Sequence, residues 1–409
     1  MKVLKLSTLL CLVFSGVIFA NENNSTLDVY ISDLKKEQFK YDYEKNEAEG
    51  SKLRDSWIAP IKINYSYSKS KPYLREQTSE NAAIKMDQPI FQSGGIYYAI
   101  KFANASKLYS DYSVDVAKRK MIKDAISILM QIKQIDLRVS KQELQILNSN
   151  INLEQKKEQY LNGQLDSGFL DDAIIQRNAV TQALYDIETS KEKLITQFQT
   201  LSDLDYSQAS IPHLEFISGE DFIKNNVVLK RDEAEVQKNK FYKDVTIAKY
   251  LPSVYFTAGY NWQKTDNQQF SPTVPAFSNE LSYYDYGVRA SMPLDINVFR
   301  DIESSRVDYL KAQVASEDKQ RELTALFEQV AQNIKNFDKK IKLSDENIEI
   351  YSKLLKDTKD LFSAGYKTEY DVETLENSLK IQNIDSRIFE IDKQLELLTL
   401  YEMYANDGI

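Results

Sequence analysis

The chain has 409 residues and a formal net charge of −9, from 52 basic and 61 acidic side chains. This acidic balance argues against nucleic acid as a partner, because nucleic-acid binding needs a basic surface. A single cysteine, Cys11, and a single histidine, His213, exclude intrachain disulfides, thiolate metal sites and histidine-based clusters. No phosphate-binding glycine loop or serine nucleophile motif occurs either. We therefore expect no metal, no other cofactor and no enzymatic activity, and we interpret His213 as an ordinary surface or packed histidine.

Residues 1–20 have the layout of a secretion signal. Lys2 and Lys5 form a basic start, an apolar core follows, and Ala20 closes a cleavage site. Two alternatives stay open. One is an N-terminal membrane anchor; the other is lipid attachment at Cys11, although the residues before it are not the small ones that such attachment uses. Cleavage would remove two lysines and make the net charge −9 − 2 = −11.

Four segments alternate between apolar and polar residues, which is the period of a β-strand. They lie at residues 61–68, 82–87, 253–263 and 283–292. The sequence predicts no transmembrane helix, since no run of about 20 apolar residues occurs, so a membrane crossing would need strands. A soluble sheet would alternate in the same way. These strands are rich in aromatic residues, however, and no apolar helix face is left to cover them, which favours an outer-membrane barrel.

Two stretches predict helices too long for a globule. Residues 96–162 and 294–364 contain neither glycine nor proline, and a 67-residue helix is about 100 Å long. In the second stretch, apolar residues recur every three or four positions from Leu323 to Leu355, with Ser344 filling the one gap. This narrow seam is typical of a coiled coil. Taken alone, these stretches indicate an ordinary extended coiled coil, and only the strands argue for more.

The same placement of prolines and glycines occurs twice along the chain. Four prolines flank the strands and one glycine follows each long helix: Pro60 and Pro252 before strands, Pro89 and Pro293 at strand ends, and Gly163 and Gly365 after the helices. The paired positions are 252 − 60 = 192, 293 − 89 = 204 and 365 − 163 = 202 residues apart, which indicates a tandem repeat. Proline fits at strand ends because it has no N–H to donate. We expect these four prolines to mark the junctions between strands and helices.

The repeat divides the chain into segments. After the signal we expect periplasmic helices at 21–56, a β-hairpin at 57–93, a long helical hairpin at 94–203, a linker at 204–219, a leading helix at 220–250, a second β-hairpin at 251–296, and a second long helical hairpin with the C-terminus at 297–409. Four strands are too few to close a barrel, and an open sheet edge is not tolerated in lipid. The pattern therefore predicts that several chains complete one barrel.

Four stretches carry a resemblance to a known family: "AKYLPSVYFTAGYNW", "MPLDINVFRDIESSRVDYLKAQ", "LKRDEAEVQKNKFYKDV" and "LFSAGYKTEYDVETLENSL". In this order, and within a duplicated layout, they resemble the TolC family of outer-membrane efflux proteins over nearly the whole mature chain. The resemblance implies a mainly α-helical fold with four strands per chain. It also implies a homotrimer, with one twelve-stranded barrel in outer-membrane lipid and a coiled-coil tunnel in the periplasm.

The function that the resemblance implies is a passive exit duct of a tripartite efflux or type I secretion system. Such a duct docks a periplasmic adaptor and an inner-membrane transporter, and its cargo is drugs, other small molecules or proteins. The alternative is a periplasmic coiled-coil adaptor or scaffold without a membrane barrel. Adaptors usually have one helical hairpin flanked by small β-domains, so the duplicated hairpins argue against that alternative.

By the same resemblance, the helical tips form the periplasmic entrance. Gly365, Lys367 and Asp371 match the glycine, basic and acidic positions of the family's second tip, and Gly163 lies in the first tip. Three copies of Asp371 would form a carboxylate ring that attracts cations. Lys367 would bond to the first tip, where Asp171 or Asp172 is the candidate partner. The simpler interpretation of each acid is a solvated or helix-capping carboxylate. Thr374 stands where some members carry a second acidic ring.

Overall fold

The computed structural model describes residues 26–71, 76–267 and 277–405. The predicted fold class is confirmed: these residues are mainly helical and form four strands. After a short 3₁₀ turn, the helices are α1 (Asp33–Arg54), α2 (Gly95–Leu161), α3 (Ser167–Leu201), α4 (Gly219–Lys224), α5 (Val227–Lys249), α6 (Val298–Ser363) and α7 (Glu369–Tyr401). The predicted signal segment at residues 1–20, with Cys11, lies outside the described residues.

The four strands form one antiparallel sheet in the order β1-β2-β3-β4. They are β1 (Lys62–Ser70), β2 (Gln77–Phe91), β3 (Ser253–Asn267) and β4 (Phe277–Ser291). The central pair, β2 with β3, joins the two halves of the chain along a ladder that starts at Gln77 and Asn267. Strands β1 and β4 are therefore the two edges of the sheet.

The strands extend beyond the alternating segments in the sequence. In β2, pairing begins at Gln77, five residues before the predicted start, and it continues to Phe91, past Pro89. The first extension is polar, and apolar alternation could not reveal it because a backbone ladder needs no apolar side chains. Pro89 is tolerated because β1 pairs with β2 only as far as Lys85, and the ladder to β3 is irregular between Pro89 and Phe91.

The two halves of the chain have the same order of helices. Each hairpin is followed by a long helix, α2 with 67 residues and α6 with 66, and then by a shorter returning helix, α3 with 35 and α7 with 33. At 1.5 Å per residue, each long helix measures about 100 Å. The returning helices are about half that length, so they cover only the far half of each long helix.

The predicted seam of α6 is the face that packs on α7. Leu323, Val330 and Ile334 are buried there. Ser344, which takes the one position of the pattern without an apolar residue, is buried as well. The Ser344 hydroxyl donates to the carbonyl of Gln382 in α7, at 3.4 Å. A small side chain at this seam position therefore lets a hydrogen bond replace an apolar contact.

The main hydrophobic core lies where the returning helices end. Phe222 of α4, Leu323 of α6 and Leu400 of α7 are almost completely buried in one cluster. The linker between the halves crosses this region, and the Gln394 side chain holds it. The Gln394 amide accepts from the N–H of Leu214 at 2.8 Å and donates to the Leu214 carbonyl at 3.4 Å. The linker is thus bound to the core by its backbone.

The end of the chain closes on the start of the second half. The N–H of Val227 donates to the Met403 carbonyl at 2.8 Å, and the N–H of Ala405 donates to the Asn225 carbonyl at 2.9 Å. Between these bonds, the buried Asn226 caps α5, because its Oδ1 accepts from the N–H groups of the next helical residues. An N-cap satisfies backbone donors that a helix start otherwise leaves unpaired.

We expect Asn226→Ala to destabilise the fold by about 1–2 kcal/mol, because the loss of the cap leaves buried N–H groups of α5 unpaired. The measurement is the midpoint of urea unfolding in detergent, followed by circular dichroism. Asn226→Ser is the control, since serine is also a preferred capping residue. Equal midpoints for the alanine and serine variants would contradict the assigned role.

Candidate functional site

The two helical tips have the same backbone geometry. In the second tip, the N–H of Tyr366 donates to the Leu361 carbonyl at 2.9 Å, and the N–H of Gly365 donates to the Phe362 carbonyl at 2.9 Å. This pair of bonds is a Schellman motif, which needs a left-handed residue after the helix. Gly365 has φ of 80° and no atom lies near the place where a Cβ would be, so glycine is required for its conformation rather than for space.

The first tip repeats this arrangement. The N–H of Gln164 donates to the Gln159 carbonyl at 2.8 Å, and Gly163 has φ of 68°. Asp166 then begins α3, because its carboxylate accepts from the N–H of Gly168 at 2.7 Å. The two glycines thus hold equivalent positions in the two halves, and each reverses the chain from a long helix into its returning helix.

Asp371 completes the capping box at the start of α7, where Thr368 is the N-cap residue. Its Oδ2 accepts from the backbone N–H of Thr368 and from the Thr368 hydroxyl, both at 2.9 Å, while its own N–H donates to that hydroxyl at 3.2 Å. These hydrogen bonds, the backbone one first, lower the pKa of Asp371, and the nearby Lys367 adds to the effect. Asp371 is therefore a helix-capping carboxylate, and Oδ1 is the oxygen that stays outside the cap.

Within the described chain, Lys367 lies beside Asp371. Lys367 Nζ lies 4.0 Å from Asp371 Oδ1, and both side chains are substantially exposed. A surface pair of this kind contributes about 0–1 kcal/mol. Asp171 and Asp172 lie on the first turns of α3 and are exposed, and neither forms an ion pair within the described chain. The contact between Lys367 and the first tip stays a prediction.

A contact between the tips is made instead by a residue that the sequence pattern did not single out. The Tyr370 hydroxyl donates to Oε1 of Glu158 in α2, at 3.0 Å. This hydrogen bond raises the pKa of Tyr370, and the negative charge of Glu158 adds to the rise. Periodicity did not reveal this contact, because it depends on the end of α2 lying beside the start of α7. The position of Tyr370 next to Asp371 was the available signal.

Further polar pairs join α2 to α7 between the core and the tips. Along α2, the three residues of these pairs are seven positions apart, so they fall on one face of that helix. The pairs are Gln134 with Asp392 at 2.6 Å, Lys141 with Asp385 at 2.7 Å, and Asn148 with Asn377 at 2.9 Å. The two helical hairpins are thus held together by polar contacts in the half of α2 that approaches the tips.

The sheet has one apolar and one polar face, and both are open. On the apolar face, Tyr284 and Tyr286 are each about three-quarters exposed. On the polar face, Arg289 Nη2 lies 2.5 Å from Asp87 Oδ2 across β3. Asp285 accepts from Asn261 at 2.6 Å on that face. Gly259 leaves room for the Asp285 carboxylate, since a Cβ there would lie 2.7 Å from Oδ1.

The four junction prolines lie where strands meet helical segments. Pro60 lies two residues before β1, Pro252 immediately before β3 and Pro293 two residues after β4, while Pro89 lies inside β2. Ser93, which has φ of 47°, connects two of these junctions, because its hydroxyl donates to the Pro252 carbonyl at 2.6 Å. The chain therefore passes from β2 into α2 beside the point where α5 passes into β3.

Tyr250 closes the same junction from the helical side. It is buried at the end of α5, and its hydroxyl donates to Oδ2 of Asp301 in the first turn of α6. This hydrogen bond, followed by burial and the Asp301 charge, raises the pKa of Tyr250 to about 12. The bond therefore favours the neutral phenol in the folded chain.

His213 is exposed in the linker between the halves. Across the described residues, no three acidic or histidine side chains are grouped as a metal site would need. Across the same residues, no helix combines the length and the apolar character needed to cross a membrane.

This chain resembles a known protein family in sequence and known structures in fold. The family model described as outer membrane efflux protein matches residues 220–403. No curated protein matches the sequence. The fold matches the outer membrane protein VceC of Vibrio cholerae, with a TM-score of 0.71, 13% identity, and coverage of 93% of this chain and 95% of VceC.

Two further structures share the fold. The Campylobacter jejuni CmeC outer membrane channel matches with a TM-score of 0.70 and 12% identity, over 93% of this chain and 84% of CmeC. The open state of the Neisseria gonorrhoeae MtrE outer membrane channel matches with a TM-score of 0.62 and 10% identity, over 92% of this chain and 87% of MtrE. Together with the family model, these matches confirm the resemblance to the TolC family of outer-membrane efflux proteins.

We expect the Tyr250–Asp301 bond to make the fold sensitive to alkali. The folded-state pKa lies above the value of 10.0 for free tyrosine, so the stabilisation is complete below pH 10 and is lost as the pH rises towards about 12. Tyr250→Phe should flatten this part of the stability profile, measured as the urea midpoint against pH. The control is Tyr366→Phe, because Tyr366 is exposed at a tip. Identical alkaline profiles for wild type and Tyr250→Phe would refute the expectation.

Proposed function

We propose that this protein is the outer-membrane exit duct of a tripartite efflux or type I secretion system. Three chains form one passive channel, each giving four strands to a twelve-stranded barrel and its helices to a periplasmic tunnel. The channel docks a periplasmic adaptor and an inner-membrane transporter. The supporting observations are the family model, the channel fold, and above all a sheet that has two unpaired edges.

The open edges carry the proposal. In the described chain, β1 pairs only with β2 and β4 only with β3, so each edge strand presents unpaired N–H and C=O groups on one side. Such edges are not tolerated in lipid, where each unsatisfied group costs several kcal/mol. Pairing β4 of one copy with β1 of the next satisfies both edges, and three copies close the sheet.

Exposed apolar side chains beside β4 support the same assembly. Leu294, Ile296 and Phe299 are 92%, 89% and 84% exposed in the single chain. They lie together where β4 passes into α6, at the edge of the sheet that needs a partner. Contiguous exposed apolar side chains mark interaction surfaces. A second copy that pairs with β4 is the partner in position to cover them.

For the entrance, we propose that the tips restrict passage and that Asp371 contributes charge there. In a trimer, three Asp371 carboxylates surround one axis, each with an oxygen outside its helix cap. A ring of carboxylates attracts cations. The Tyr370–Glu158 bond and the Lys367–Asp371 pair hold each α7 start in place, and Asp171 or Asp172 of the first tip remains the proposed partner of Lys367.

The assembly is tested by Phe299→Asp. We expect the wild-type protein to fractionate with the outer membrane as an oligomer that resists detergent until it is heated, and we expect the variant to lose this oligomer because a carboxylate would be buried without a partner. Gel mobility before and after heating measures the result. Ser304→Asp is the control, since Ser304 is exposed on another face of α6. A soluble, monomeric wild-type protein would end the proposal.

The entrance charge is tested by Asp371→Asn, which removes the charge and keeps an oxygen that can accept from Thr368. We expect the cation preference of single channels in planar bilayers to fall by several-fold, as shown by the reversal potential in a salt gradient. Asp318→Asn is the matched control, because Asp318 is exposed on α6 far from the tips. An unchanged reversal potential in Asp371→Asn would leave Asp371 with the capping role alone.

A further inference from the structure

The apolar face of the sheet is built of rows of directly paired residues. We name each row by its residue in β3. Five rows, here called the apolar band, are Phe91, Val254 and Ala290; Gln88, Phe256 and Val288; Met86, Ala258 and Tyr286; Ile63, Ile84, Tyr260 and Tyr284; and Tyr65, Ala82, Trp262 and Ser282. No charged side chain occurs in these rows. From Val254 to Trp262, the apolar band is about 27 Å long, taking about 3.4 Å per residue.

The next row along this face contains charged side chains. It contains Tyr67, Glu80, Lys264 and Glu280, and we call it the boundary row. Beyond it lies the row of Asp266, and Lys264 Nζ is 3.1 Å from Asp266 Oδ2. Charge therefore starts abruptly on the side of the sheet away from the helices, after five rows without any.

Aromatic side chains of the last apolar row point their polar atoms at the boundary row. The Trp262 Nε1–H donates to Glu280 at 2.7 Å. The Tyr65 hydroxyl donates to Glu80 at 3.1 Å. Each ring thus has its apolar body level with the band and its polar atom at the charged row. Tryptophan and tyrosine take this orientation at the edge of a membrane's hydrocarbon layer.

Near the other end of the apolar band lies Trp57, the other tryptophan of the sequence. Gln88 lies in the Phe256 row, and its side-chain amide donates to the Trp57 carbonyl at 3.2 Å and accepts from the N–H of Ala59 at 2.9 Å. The polar amide of Gln88 is therefore occupied by backbone partners beside Trp57. The two tryptophans of the sequence lie at opposite ends of the same band.

We infer that the apolar band is the surface in contact with lipid acyl chains, and that the boundary row sets the outer limit of the hydrocarbon layer. The inference rests on the proposed function, and it adds which face meets lipid and at which residues the membrane begins and ends. With strands tilted by about 40°, a band of about 27 Å spans about 21 Å along the membrane normal, close to the height of about 25 Å typical of such barrels. Charges of the boundary row then lie at the lipid headgroups rather than among acyl chains, where they would be costly.

The test uses the tryptophans as depth reporters. Trp57→Phe leaves Trp262 as the single tryptophan, and Trp262→Phe leaves Trp57. Each variant is reconstituted into phosphatidylcholine bilayers whose acyl chains carry bromine either near the headgroup or near the bilayer centre. We expect both tryptophans to be quenched more strongly by the shallow bromine, with the deep bromine less effective by about twofold or more.

A second arm moves the boundary. In the Trp57→Phe background, Glu80→Leu, Lys264→Leu and Glu280→Leu together extend the apolar band by one row, about 6.8 Å along the strand. We expect Trp262 to sink, so that quenching by the deep bromine rises relative to the shallow one. Gln263→Leu is the matched control, because Gln263 is the neighbour of Lys264 on the opposite face, and it should leave the quenching ratio unchanged.

Three outcomes would overturn the inference: stronger quenching of Trp262 by the deep bromine, quenching of Trp262 by aqueous iodide and by neither bromine, or an equal shift in the Gln263→Leu control. Should the triple variant not assemble, the two single-tryptophan variants decide alone. If no heat-labile membrane oligomer forms even in the wild type, the proposed duct fails, whereas a membrane oligomer with Trp262 at the wrong depth contradicts the depth assignment alone.

Discussion

The whole arrangement depends on the unsatisfied hydrogen-bonding groups at the two edges of one sheet. A four-stranded sheet in water can hide its edges behind charges or short strands, but here β1 and β4 present apolar and aromatic residues beside their edges. These strands need both a low-polarity surrounding for their side chains and a partner for their backbone. In the proposed assembly, pairing between copies would supply the backbone partner and lipid would supply the low-polarity surrounding, so the sheet and the assembly are considered together.

The long helices extend the molecule far from the sheet. Each is about 100 Å long, and no compact core covers such a rod, so its stability comes from a continuous seam with neighbouring helices. The seam of α6 with α7 is largely apolar. From Gln134 towards the tips, hydrogen bonds and an ion pair join α2 to α7, and Ile135 is the last buried residue of α2. The two hairpins are therefore tightly joined at the core and held by directional hydrogen bonds near the tips, where a small shift in register breaks a bond rather than sliding a smooth apolar surface.

The Asp371 side chain is compatible with two roles, capping of α7 and charge at an entrance. Its Oδ2 completes a capping box with Thr368, which accounts for its lowered pKa without any role in passage. Its Oδ1 stays outside that cap and close to Lys367. Capping and charge at an entrance are compatible, because a cap fixes the position of the carboxylate and leaves its negative charge in place. The local structure therefore decides how rigid the charge is, and the assembly decides whether it faces a passage.

The sequence by itself determined the repeating layout, the helical seam and the apolar face of the strands. Each of these follows from local periodicity: two residues for strands, three or four for helices, and glycine where φ must be positive, as at Gly163 and Gly365. Only the tertiary structure decided the ends of the strands, the passage of β2 beyond Pro89, and the position of Lys367 beside Asp371. It alone revealed Tyr370–Glu158 and the boundary row, because these contacts join residues far apart in the chain. Periodicity reports which face a residue lies on, whereas a contact depends on which other segment arrives there and in what register.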